Sequence, residues 1–376
     1  MIRSFKIRIY PNQIQEQLLW KHIHTARFVW NFGLSYQIEK YKNNEKYLSG
    51  YNLAKMFINI KKEEKYNWLK EISSYTITTI CLDLDDAYKR YFKGQNNKPK
   101  FKKKNKCKDK YPVRSDRFYF YNNYVTIEKI GKVKYQTNYE LPQGRNIHKF
   151  TNPRIKYENN KWILTFGMEY NKQIQILSDN SMGIDLGVKD LAIVSCGNEF
   201  ITFKNINKIN KIKKINKQLK HAQRKVSKKY HKNGNYKKSN NILKTEKRVK
   251  QLYNKLSNIR KNYIHQITRQ LVNMLPKRIV MEDLNVSGMM KNKHLSKAIA
   301  EQCFYEFRRQ MEYKCEEYGI EFILADRFYP SSKLCSNCGF KDKDLKLKDR
   351  IYKCNNCGLV IDRDQNASIN LMNYKS

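Results

Sequence analysis

The first residues alternate between hydrophobic and polar side chains, the period-two pattern of a strand with one buried face. Phe5, Ile7 and Ile9 fall on one face of this strand, with basic residues between them. Beyond it the hydrophobic spacing changes to three and four residues, which predicts helices. We therefore expect an opening strand over 1–10 and a helical domain over 11–97.

Short alternating runs return between residues 98 and 175 and predict short strands. Asn159-Asn160, between two of these runs, is typical of a tight hairpin turn. We expect a small antiparallel barrel or sheet over 98–175 that the strand at 1–10 could join. The runs are 117–121, 124–128, 132–135, 154–158 and 162–170.

A series of lysines opens this second segment, and Pro99 within it disfavours helix. Such a series is either a solvated basic loop or a set of phosphate contacts. We take it as a candidate nucleic-acid-binding segment. The candidate residues are Lys98, Lys100, Lys102, Lys103 and Lys104, with Lys106 just beyond them.

A short apolar run carries one acid, Asp185, between Gly183 and Gly187. This pattern predicts a buried strand with a carboxylate at its end. Glu282 follows another apolar run, and Asp364 stands just before a short helical pattern. One such acid alone is more often a helix cap or an ion-pair partner. Three of them could converge on Mg²⁺, and two such ions could clamp the attacking and leaving oxygens of a phosphodiester.

Residues 204–261 contain 21 lysines and arginines and a single acid, Glu246. Leu252 and Leu256 belong to a helical stripe, so we expect two long basic helices broken near Gly234. A solvated helix face usually mixes both signs of charge, so this excess favours phosphate neutralisation. The candidate contacts are Lys213, Lys214, Lys217 and Lys220. Around this segment the pattern predicts strands over 191–195, 200–203, 279–281 and 321–325, and a helix over 296–318.

Two Cys-x-x-Cys pairs stand fifteen residues apart. Cys335 and Cys338 form the first pair, and Cys354 and Cys357 form the second. A glycine follows each pair, as tight knuckle turns require. This spacing is typical of a zinc ribbon in which four thiolates hold one structural Zn²⁺. A redox role is the weaker alternative, because two matched pairs with glycines are not a thioredoxin motif.

Composition narrows the choice of partner. The 376 residues carry a formal net charge of +42, which opposes compaction unless a polyanion neutralises it. Nucleic acid is the first candidate, and a membrane surface is the alternative. No apolar run reaches the roughly 18 residues of a spanning helix, so we expect no membrane partner. Of the nine cysteines, four form the two pairs and five are scattered singly. This distribution predicts a reducing, cytoplasmic compartment.

Together these residues resemble the TnpB family, transposon-encoded proteins similar to the ancestors of type V CRISPR effector nucleases. The resemblance is close and ordered from residue 181 to the end, and looser toward the start of the chain. The motifs that carry it are Gly-Ile-Asp-Leu-Gly at 183–187, Val-Met-Glu-Asp-Leu-Asn at 280–285, Tyr-Pro-Ser-Ser-Lys at 329–333 and Asp-Arg-Asp-Gln-Asn-Ala-Ser at 362–368.

The resemblance implies a mixed α/β multidomain fold. Its parts are an RNase H-like (RuvC) nuclease domain with an inserted four-cysteine zinc ribbon, a small wedge β-barrel and a helical recognition domain. The implied boundaries are 1–10 and 98–175 for the wedge barrel, 11–97 for the recognition domain, 176–330 and 361–376 for the nuclease domain, and 331–360 for the ribbon.

Carried onto this chain, the family pattern makes Asp185, Glu282 and Asp364 the acidic triad that holds two Mg²⁺ ions. Asp362, one step from the pattern, is the less favoured third ligand. The implied activity is Mg²⁺-dependent cleavage of double-stranded DNA, directed by a guide RNA transcribed from the transposon end. The protein itself would read only a short flanking motif. We expect a monomer on each guide RNA, associated with the nucleoid through DNA.

Four alternatives remain open. A nuclease-inactive, RNA-guided repressor would have no reason to keep the third acid. A strand-joining transposase fits poorly with a zinc ribbon and an upstream barrel. A plain zinc-ribbon transcription factor would leave Asp185 and Glu282 unexplained. A CRISPR-associated miniature effector would differ in the source of its guide.

Overall fold

The computed structural model describes residues 2–104, 107–137, 141, 150–169, 175–232, 239–346 and 349–375. The chain forms two compact units, Met1–Asn171 and Lys172–Ser376. Lys106 and the expected helix break near Gly234 lie outside the described residues. No helix in the described ranges is both long enough and apolar enough to cross a membrane.

Helices follow the first strand, as the three- and four-residue spacing predicts. The first, α1 (Gln13–Lys42), begins with a capping box. The Gln15 amide donates to the Asn12 side chain at 2.8 Å, and the Asn12 amide donates to the Gln15 side chain at 3.1 Å. These bonds pair backbone amides that have no partner within the first turn of a helix. The helix therefore starts just after Pro11. The unit continues with α2 (Gly50–Ile60), a 3₁₀ segment (Glu64–Glu71) and α3 (Ser74–Phe92).

Within the described residues, seven strands form one antiparallel sheet in the first unit. They are β1 (Ile2–Tyr10), β2 (Asp109–Pro112), β3 (Tyr119–Tyr121), β4 (Tyr124–Ile127), β5 (Gly131–Gln136), β6 (Phe150–Glu158) and β7 (Lys161–Glu169). Their spatial order is β2-β6-β7-β1-β5-β4-β3. Phe5 pairs with Phe166 on β7, and Ile9 pairs with Tyr135 on β5. The prediction that the N-terminal strand joins the later strands is therefore confirmed.

Aromatic side chains connect distant strands of this sheet. The ring of Phe120 on β3 lies 5.7 Å from that of Phe150 on β6 and 5.4 Å from that of Phe166 on β7. Because β3 and β6 lie near opposite ends of the strand order, the sheet must curl for these rings to meet. Asn159 and Asn160 join β6 to β7 with φ angles of 55° and 60°, which confirms the predicted hairpin turn.

The described part of the second unit has a central sheet of five strands. They are β8 (Ser178–Leu186), β9 (Asp190–Cys196), β10 (Glu199–Lys204), β11 (Pro276–Glu282) and β12 (Glu321–Ala325), in the order β10-β9-β8-β11-β12. The first three strands form an antiparallel meander, and β11 runs parallel to both β8 and β12. Each strand contains the hydrophobic run that predicted it.

The basic segment forms two helices, α4 (Asn210–Lys232) and α5 (Asn240–Asn273). They pack against each other through a small apolar cluster that includes Ile215, Leu219 and Leu256. The predicted pair of long basic helices is confirmed. The helices that follow are α6 (Val286–Met289), α7 (Ser296–Gln302), α8 (Phe304–Tyr318) and α9 (Arg363–Met372).

The single helix expected over 296–318 is wrong. Cys303 adopts a left-handed φ of 57° and separates α7 from α8. The side-chain amide of Gln302 donates to the carbonyls of Gly187 and Val188 at 3.0 and 3.1 Å. These bonds hold the end of α7 against the turn after β8, a tertiary contact that hydrophobic spacing does not reveal.

A short two-stranded ribbon leads into the last helix. Its strands, β13 (Ile351–Lys353) and β14 (Val360–Asp362), pair antiparallel. Because β14 ends at the residue before α9 begins, the ribbon and that helix are joined without an intervening loop. The position of the ribbon therefore directly affects where the first turn of α9 lies.

Candidate functional site

Asp185 and Glu282 lie side by side at the ends of two parallel strands. Met281 on β11 is the register partner of Ile184 on β8, so the next residues along this ladder are Glu282 and Asp185. Parallel strands bring their carboxyl ends to the same edge of a sheet, where open α/β sheets commonly bind ligands. The pairing of β8 with β11 thus joins two acids that stand about a hundred residues apart in the sequence.

Helix α9 reaches this edge by direct backbone contact with β8. A Cβ atom on Gly183 would lie 2.0 Å from the carbonyl oxygen of Ser368 and 2.3 Å from the amide nitrogen of Met372. Only glycine permits such an approach. Gly183 therefore allows the helix that carries Asp364 to dock on the strand that carries Asp185.

The two acids at the start of α9 have different surroundings. Asp362 is the N-cap, and its side chain accepts hydrogen bonds from the amides of Asp364 and Gln365 at 2.9 and 3.2 Å. The charge of Asp364 raises the pKa of both Asp185 and Glu282, whereas the charge of Asp362 has a smaller effect on the pKa of Asp185. This geometry favours Asp364 as the third acid and gives Asp362 a capping role.

Burial and mutual repulsion act on the two strand acids. Burial raises the pKa of Asp185 well above its usual range, and the charges of Glu282 and Asp364 raise it further. Burial also raises the pKa of Glu282, while a hydrogen bond from Ser331 opposes that rise. A divalent cation would relieve the repulsion, and carboxylate oxygens are the ligands that Mg²⁺ prefers. The donor chemistry of the acids therefore suits Mg²⁺.

Arginines accompany the third acid. Arg363 Nη2 and Arg350 Nη1 lie 2.8 and 3.5 Å from carboxylate oxygens of Asp364. In a metal cluster of three or more residues, the ligand atoms lie close together. Within the described ranges, the ligand atoms of the four ribbon cysteines all lie within 4.8 Å of one another, and no other such group meets this limit. The three acids are thus electrostatic neighbours rather than a closed cluster. A cation bound there would compete with the two arginines for Asp364.

A serine beyond β12 supports one of the acids, although no local sequence pattern marks it. The Ser331 hydroxyl donates a hydrogen bond to Oε1 of Glu282. The side-chain amide of Asn370 on α9 in turn donates to the Ser331 carbonyl at 2.7 Å. Ser331 therefore links the strand that carries Glu282 to the helix that carries Asp364.

A second asparagine ties α9 to the cysteine ribbon. The Asn366 side chain donates to the Leu334 carbonyl at 2.6 Å and accepts from the Ser336 amide at 2.9 Å. Asn370 donates to the same Leu334 carbonyl at 2.7 Å. Both asparagines are buried. Two polar residues four positions apart on the buried face of a short helix were the signal that could have revealed this contact.

The four cysteines form a cluster with the dimensions of a metal site. The Sγ atoms of Cys335 and Cys357 lie 3.5 Å apart, as do those of Cys338 and Cys354. A tetrahedral Zn²⁺ with Zn–S bonds of about 2.3 Å would separate its sulfurs by roughly 3.8 Å. The cluster therefore fits one zinc ion.

Both pairs form the same turn. In each, the glycine after the second cysteine donates its amide to the carbonyl of the first, at 2.9 and 3.1 Å. Gly339 and Gly358 both have φ of 73°, which favours glycine. A hydrogen bond from Asn356 lowers the pKa of Cys338 to about 6, whereas burial raises the pKa of Cys335 to about 12. Because zinc binds thiolates, Cys335 would release its proton on binding the metal.

The candidate lysines of α4 all face outward. Ile212, Ile215 and Leu219 of the same helix are buried against α5. The opposite face therefore presents positive charge to solvent, as a phosphate-binding surface requires. The four exposed candidates are Lys213, Lys214, Lys217 and Lys220.

The lysine series of the first unit is anchored to α1. The Asn31 side chain exchanges two hydrogen bonds with the backbone of Lys102, at 2.7 and 3.0 Å. Lys102 Nζ lies 3.5 Å from the centroid of the Trp30 ring, and burial lowers the pKa of Lys102 to about 8. Lys102 is thus directed inward, where it holds the segment to the helix. The other candidates, Lys98, Lys100, Lys103 and Lys104, are exposed.

Three family descriptions match successive parts of the chain. "Helix-turn-helix domain" matches residues 1–46, "Probable transposase" matches 166–293, and "Cas12f1-like, TNB domain" matches 304–371. The second includes Asp185 and Glu282, and the third includes the cysteines and the third acid. The described residues of 1–46 form one strand and one helix. The first match therefore does not correspond to a pair of DNA-reading helices in these residues.

Proteins of known description resemble this chain over nearly its full length. A "Putative RNA-guided DNA endonuclease" of Streptomyces pristinaespiralis is 28% identical over 98% of this chain and 88% of its own. "TnpB-like protein L770" of Acanthamoeba polyphaga mimivirus is 25% identical over 99% of this chain and 73% of its own. A solved structure described as the Cas12f1-sgRNA-target DNA complex aligns with a TM-score of 0.61 and 13% identity, over 99% of this chain and 98% of that chain. The last likeness shows the fold alone.

Proposed function

We infer that this chain belongs to the TnpB family and is an RNA-guided DNA endonuclease of transposon origin. Relatives described as an RNA-guided DNA endonuclease and as TnpB-like align with nearly all of it. The observation that carries the activity is the convergence of three acids, from β8, β11 and α9, at one edge of a sheet. Asp185 and Glu282 are costly to desolvate next to each other and to Asp364, so a repressor that does not cleave DNA is not favoured.

The nuclease domain is proposed to be RNase H-like, of the RuvC type. It would comprise 176–330 and 361–376, with the ribbon at 331–360 inserted before its last helix. The support is a meander of three antiparallel strands continued by two parallel ones, with acids on β8 and β11. The return of α9 to β8 after the ribbon also supports this arrangement.

The first unit is proposed to combine two domains. Residues 1–10 and 98–175 would form the wedge barrel, and 11–97 the helical recognition domain. The insertion of β1 between β7 and β5, and the ring contacts that connect distant strands, support the barrel. In an RNA-guided enzyme, these parts would hold the guide by its shape and backbone.

Asp185, Glu282 and Asp364 would hold Mg²⁺, which when bound supplies an activated water and stabilises charge on the phosphate oxygens. The chain's own residues position these ligands. The β8–β11 ladder sets two carboxylates in register, Asp362 caps the helix of Asp364, and Ser331 orients Glu282. No lysine or histidine base is required in this arrangement.

Zinc is the proposed structural metal of the ribbon, held by Cys335, Cys338, Cys354 and Cys357. Elemental analysis of the purified protein should find one zinc per chain. Cys335→Ser should remove the zinc and lower the temperature of thermal unfolding, because closing such a site contributes on the order of 10 kcal/mol in small zinc modules. Cys303→Ser, outside the ribbon, is the control that should retain zinc. A zinc-free wild-type protein with full activity would contradict this assignment.

The proposed partners are a guide RNA, transcribed from the transposon end, and double-stranded target DNA. Base pairing with the guide would select the target, and the protein would read a short flanking motif. The exposed lysines of α4 would add phosphate contacts that are independent of sequence. This division of labour is consistent with the excess of positive charge over 204–261.

The decisive experiment is to express the chain with the DNA that flanks its gene, purify it, and sequence the RNA that accompanies it. Reconstitution with that RNA should give Mg²⁺-dependent cleavage of a plasmid that carries the matching sequence, and Asp185→Ala should abolish cleavage. An RNA from a repeat array instead of the transposon end would identify a CRISPR guide. Absence of a specific RNA, or cleavage unaffected by Asp185→Ala, would overturn the proposal.

A further inference from the structure

An exposed aromatic side chain lies just beyond the edge that carries the acids. Ala325, the last residue of β12, is the register partner of Glu282. Phe328 follows three residues later, so its Cα lies within about 11 Å of that of Ala325. Its side chain is 87% exposed, whereas the aromatic residues Phe304 and Phe307 of the same unit are buried. Exposing an isolated phenylalanine gives up the free energy that its burial would contribute.

The segment that carries Phe328 is held in place by its neighbours. The Phe328 amide donates to the Asp326 carboxylate at 2.8 Å, and the Tyr329 amide donates to the Asp326 carbonyl at 3.0 Å. The ring of Tyr329 packs edge-on against that of Tyr374, whose hydroxyl accepts a hydrogen bond from the Asp326 amide at 3.2 Å. The turn therefore presents Phe328 to solvent in a defined conformation.

Positive charge lies beside this side chain. Asp283, the residue after Glu282, pairs with the guanidinium groups of both Arg308 and Arg327. Arg308 also pairs with Glu312, so the cation that this segment offers to a phosphate is the Arg327 guanidinium. Half of the Arg327 side chain is exposed and available to a further anion.

We propose that Phe328 and Arg327 form a stacking subsite for an unpaired nucleobase of the DNA strand that enters the acid edge. The ring would stack on the base, and the guanidinium would contact the adjacent phosphate. The inference rests on the proposed nuclease function and extends it, because it names a contact that holds a single strand next to the acids.

The chemistry of the surroundings favours a nucleobase as the occupant. Single-stranded nucleic acid is bound where cations follow the backbone and aromatic rings accept the bases. Every base has a π-face, so the subsite would accept any sequence, as an enzyme whose target is chosen by its guide requires. The net charge of +42 disfavours a basic protein as the partner.

The test is binding of a single-stranded oligodeoxynucleotide in which 2-aminopurine replaces one base at a time. It uses the full chain with its co-purified RNA, in buffer without Mg²⁺, so that binding is measured without hydrolysis. At one position the wild-type protein should quench 2-aminopurine fluorescence. Phe328→Ala should abolish that quenching and weaken binding about tenfold, within the range of a lost stacked base. Phe328→Trp should retain both.

Phe200→Ala is the matched control, because Phe200 is an exposed aromatic on β10, the opposite edge strand of the same sheet. It should leave quenching and affinity unchanged. Quenching and affinity that are the same in Phe328→Ala as in the wild type would overturn the subsite, even if guided cleavage is observed. Conversely, a Phe328-dependent signal in a protein that cuts no DNA would refute the nuclease function and leave the subsite intact.

Discussion

Asp185 is the residue at which stability and function oppose each other most directly. Its folded-state pKa lies above the ordinary value because of burial and the charge of Glu282. Ionising a carboxylate whose pKa is raised by folding disfavours the fold, so the metal-free protein loses stability as the pH rises through that pKa. Protonation at lower pH, or a bound cation at higher pH, removes the repulsion.

We predict that Asp185→Asn abolishes cleavage but raises the unfolding temperature in Mg²⁺-free buffer by about 2–4 °C, equivalent to about 1 kcal/mol. Wild-type protein should gain stability on addition of Mg²⁺, whereas the variant should gain little. Asp179→Asn, an exposed acid on the same strand, is the control and should match the wild type in both media. Destabilisation of Asp185→Asn in Mg²⁺-free buffer would contradict the repulsion described for this site.

Ser331 acts on the site through Glu282, by a hydrogen bond that the alanine variant would lose. Ser331→Ala should raise the Mg²⁺ concentration needed for half-maximal cleavage by about 10-fold or more, as is common when a ligand loses its supporting partner. Ser331→Thr, which keeps the hydroxyl, should restore the wild-type Mg²⁺ response. Ser332→Ala is the control for the neighbouring position. An equal loss in the alanine and threonine variants would indicate a packing role instead.

At the scale of elements, the contact between β8 and α9 determines where Asp364 lies. Gly183→Ala should force these elements apart, because the new Cβ would meet the Ser368 carbonyl at 2.0 Å. Overpacking against backbone costs about 1–3 kcal/mol or more, and we expect loss of cleavage and faster proteolysis of the C-terminal segment, measured by limited trypsin digestion. Gly197→Ala is the control: its Cβ meets nothing within 4 Å, although its φ of 57° makes the change mildly unfavourable. Full cleavage by Gly183→Ala would mean that α9 need not dock here.

Local patterns predicted most of the elements and the positions of the candidate acids at two strand ends and a helix start. The alternation around Ile7 and the apolar runs before Asp185 and Glu282 carry the signal of strands, and cysteine spacing carries that of the ribbon. Long-range contacts could not be read in this way. The break at Cys303 depends on hydrogen bonds from Gln302 to a distant turn, and no hydrophobic spacing encodes it.

The residues that support the acids were harder to predict from the sequence than the acids themselves. Ser331 and Asn370 act through partners that lie 36 or more residues away in sequence. A lone serine or asparagine has many local uses, so its residue type does not identify a distant partner. Lys102 shows that a residue type can also point to the wrong partner. A lysine in a basic series is expected to bind phosphate, but the Lys102 ammonium lies over the Trp30 ring.

For the whole molecule, the distribution of charge matters more than its sum. The helices α4 and α5 bury only a narrow apolar seam against each other and leave the surrounding faces basic. The described residues of the segment 61–71 also carry lysines, but glutamates lie among them. A mixed surface attracts a polyanion weakly, whereas a surface of one sign releases counterions when it binds phosphates.

We therefore predict that changing four lysines of α4 to glutamine weakens binding to guide RNA or target DNA without altering the flanking-motif preference. Each lost contact should flatten the slope of log K against log salt by about 0.9 on duplex DNA and ~0.7 on a single strand. Titrations at several salt concentrations measure both the affinity and the slope. The substituted residues are Lys213, Lys214, Lys217 and Lys220.

A control with the same change in net charge separates local contact from overall charge. It replaces four exposed lysines of the first unit by glutamine: Lys55, Lys62, Lys65 and Lys70. If only net charge mattered, both variants would shift affinity equally. A flattened slope in the α4 variant alone would assign the phosphate contacts to this helix. Unchanged affinity and slope in the α4 variant would exclude α4 and make the exposed lysines between 98 and 104 the next candidates, because they form the other dense basic series proposed here to contact phosphate.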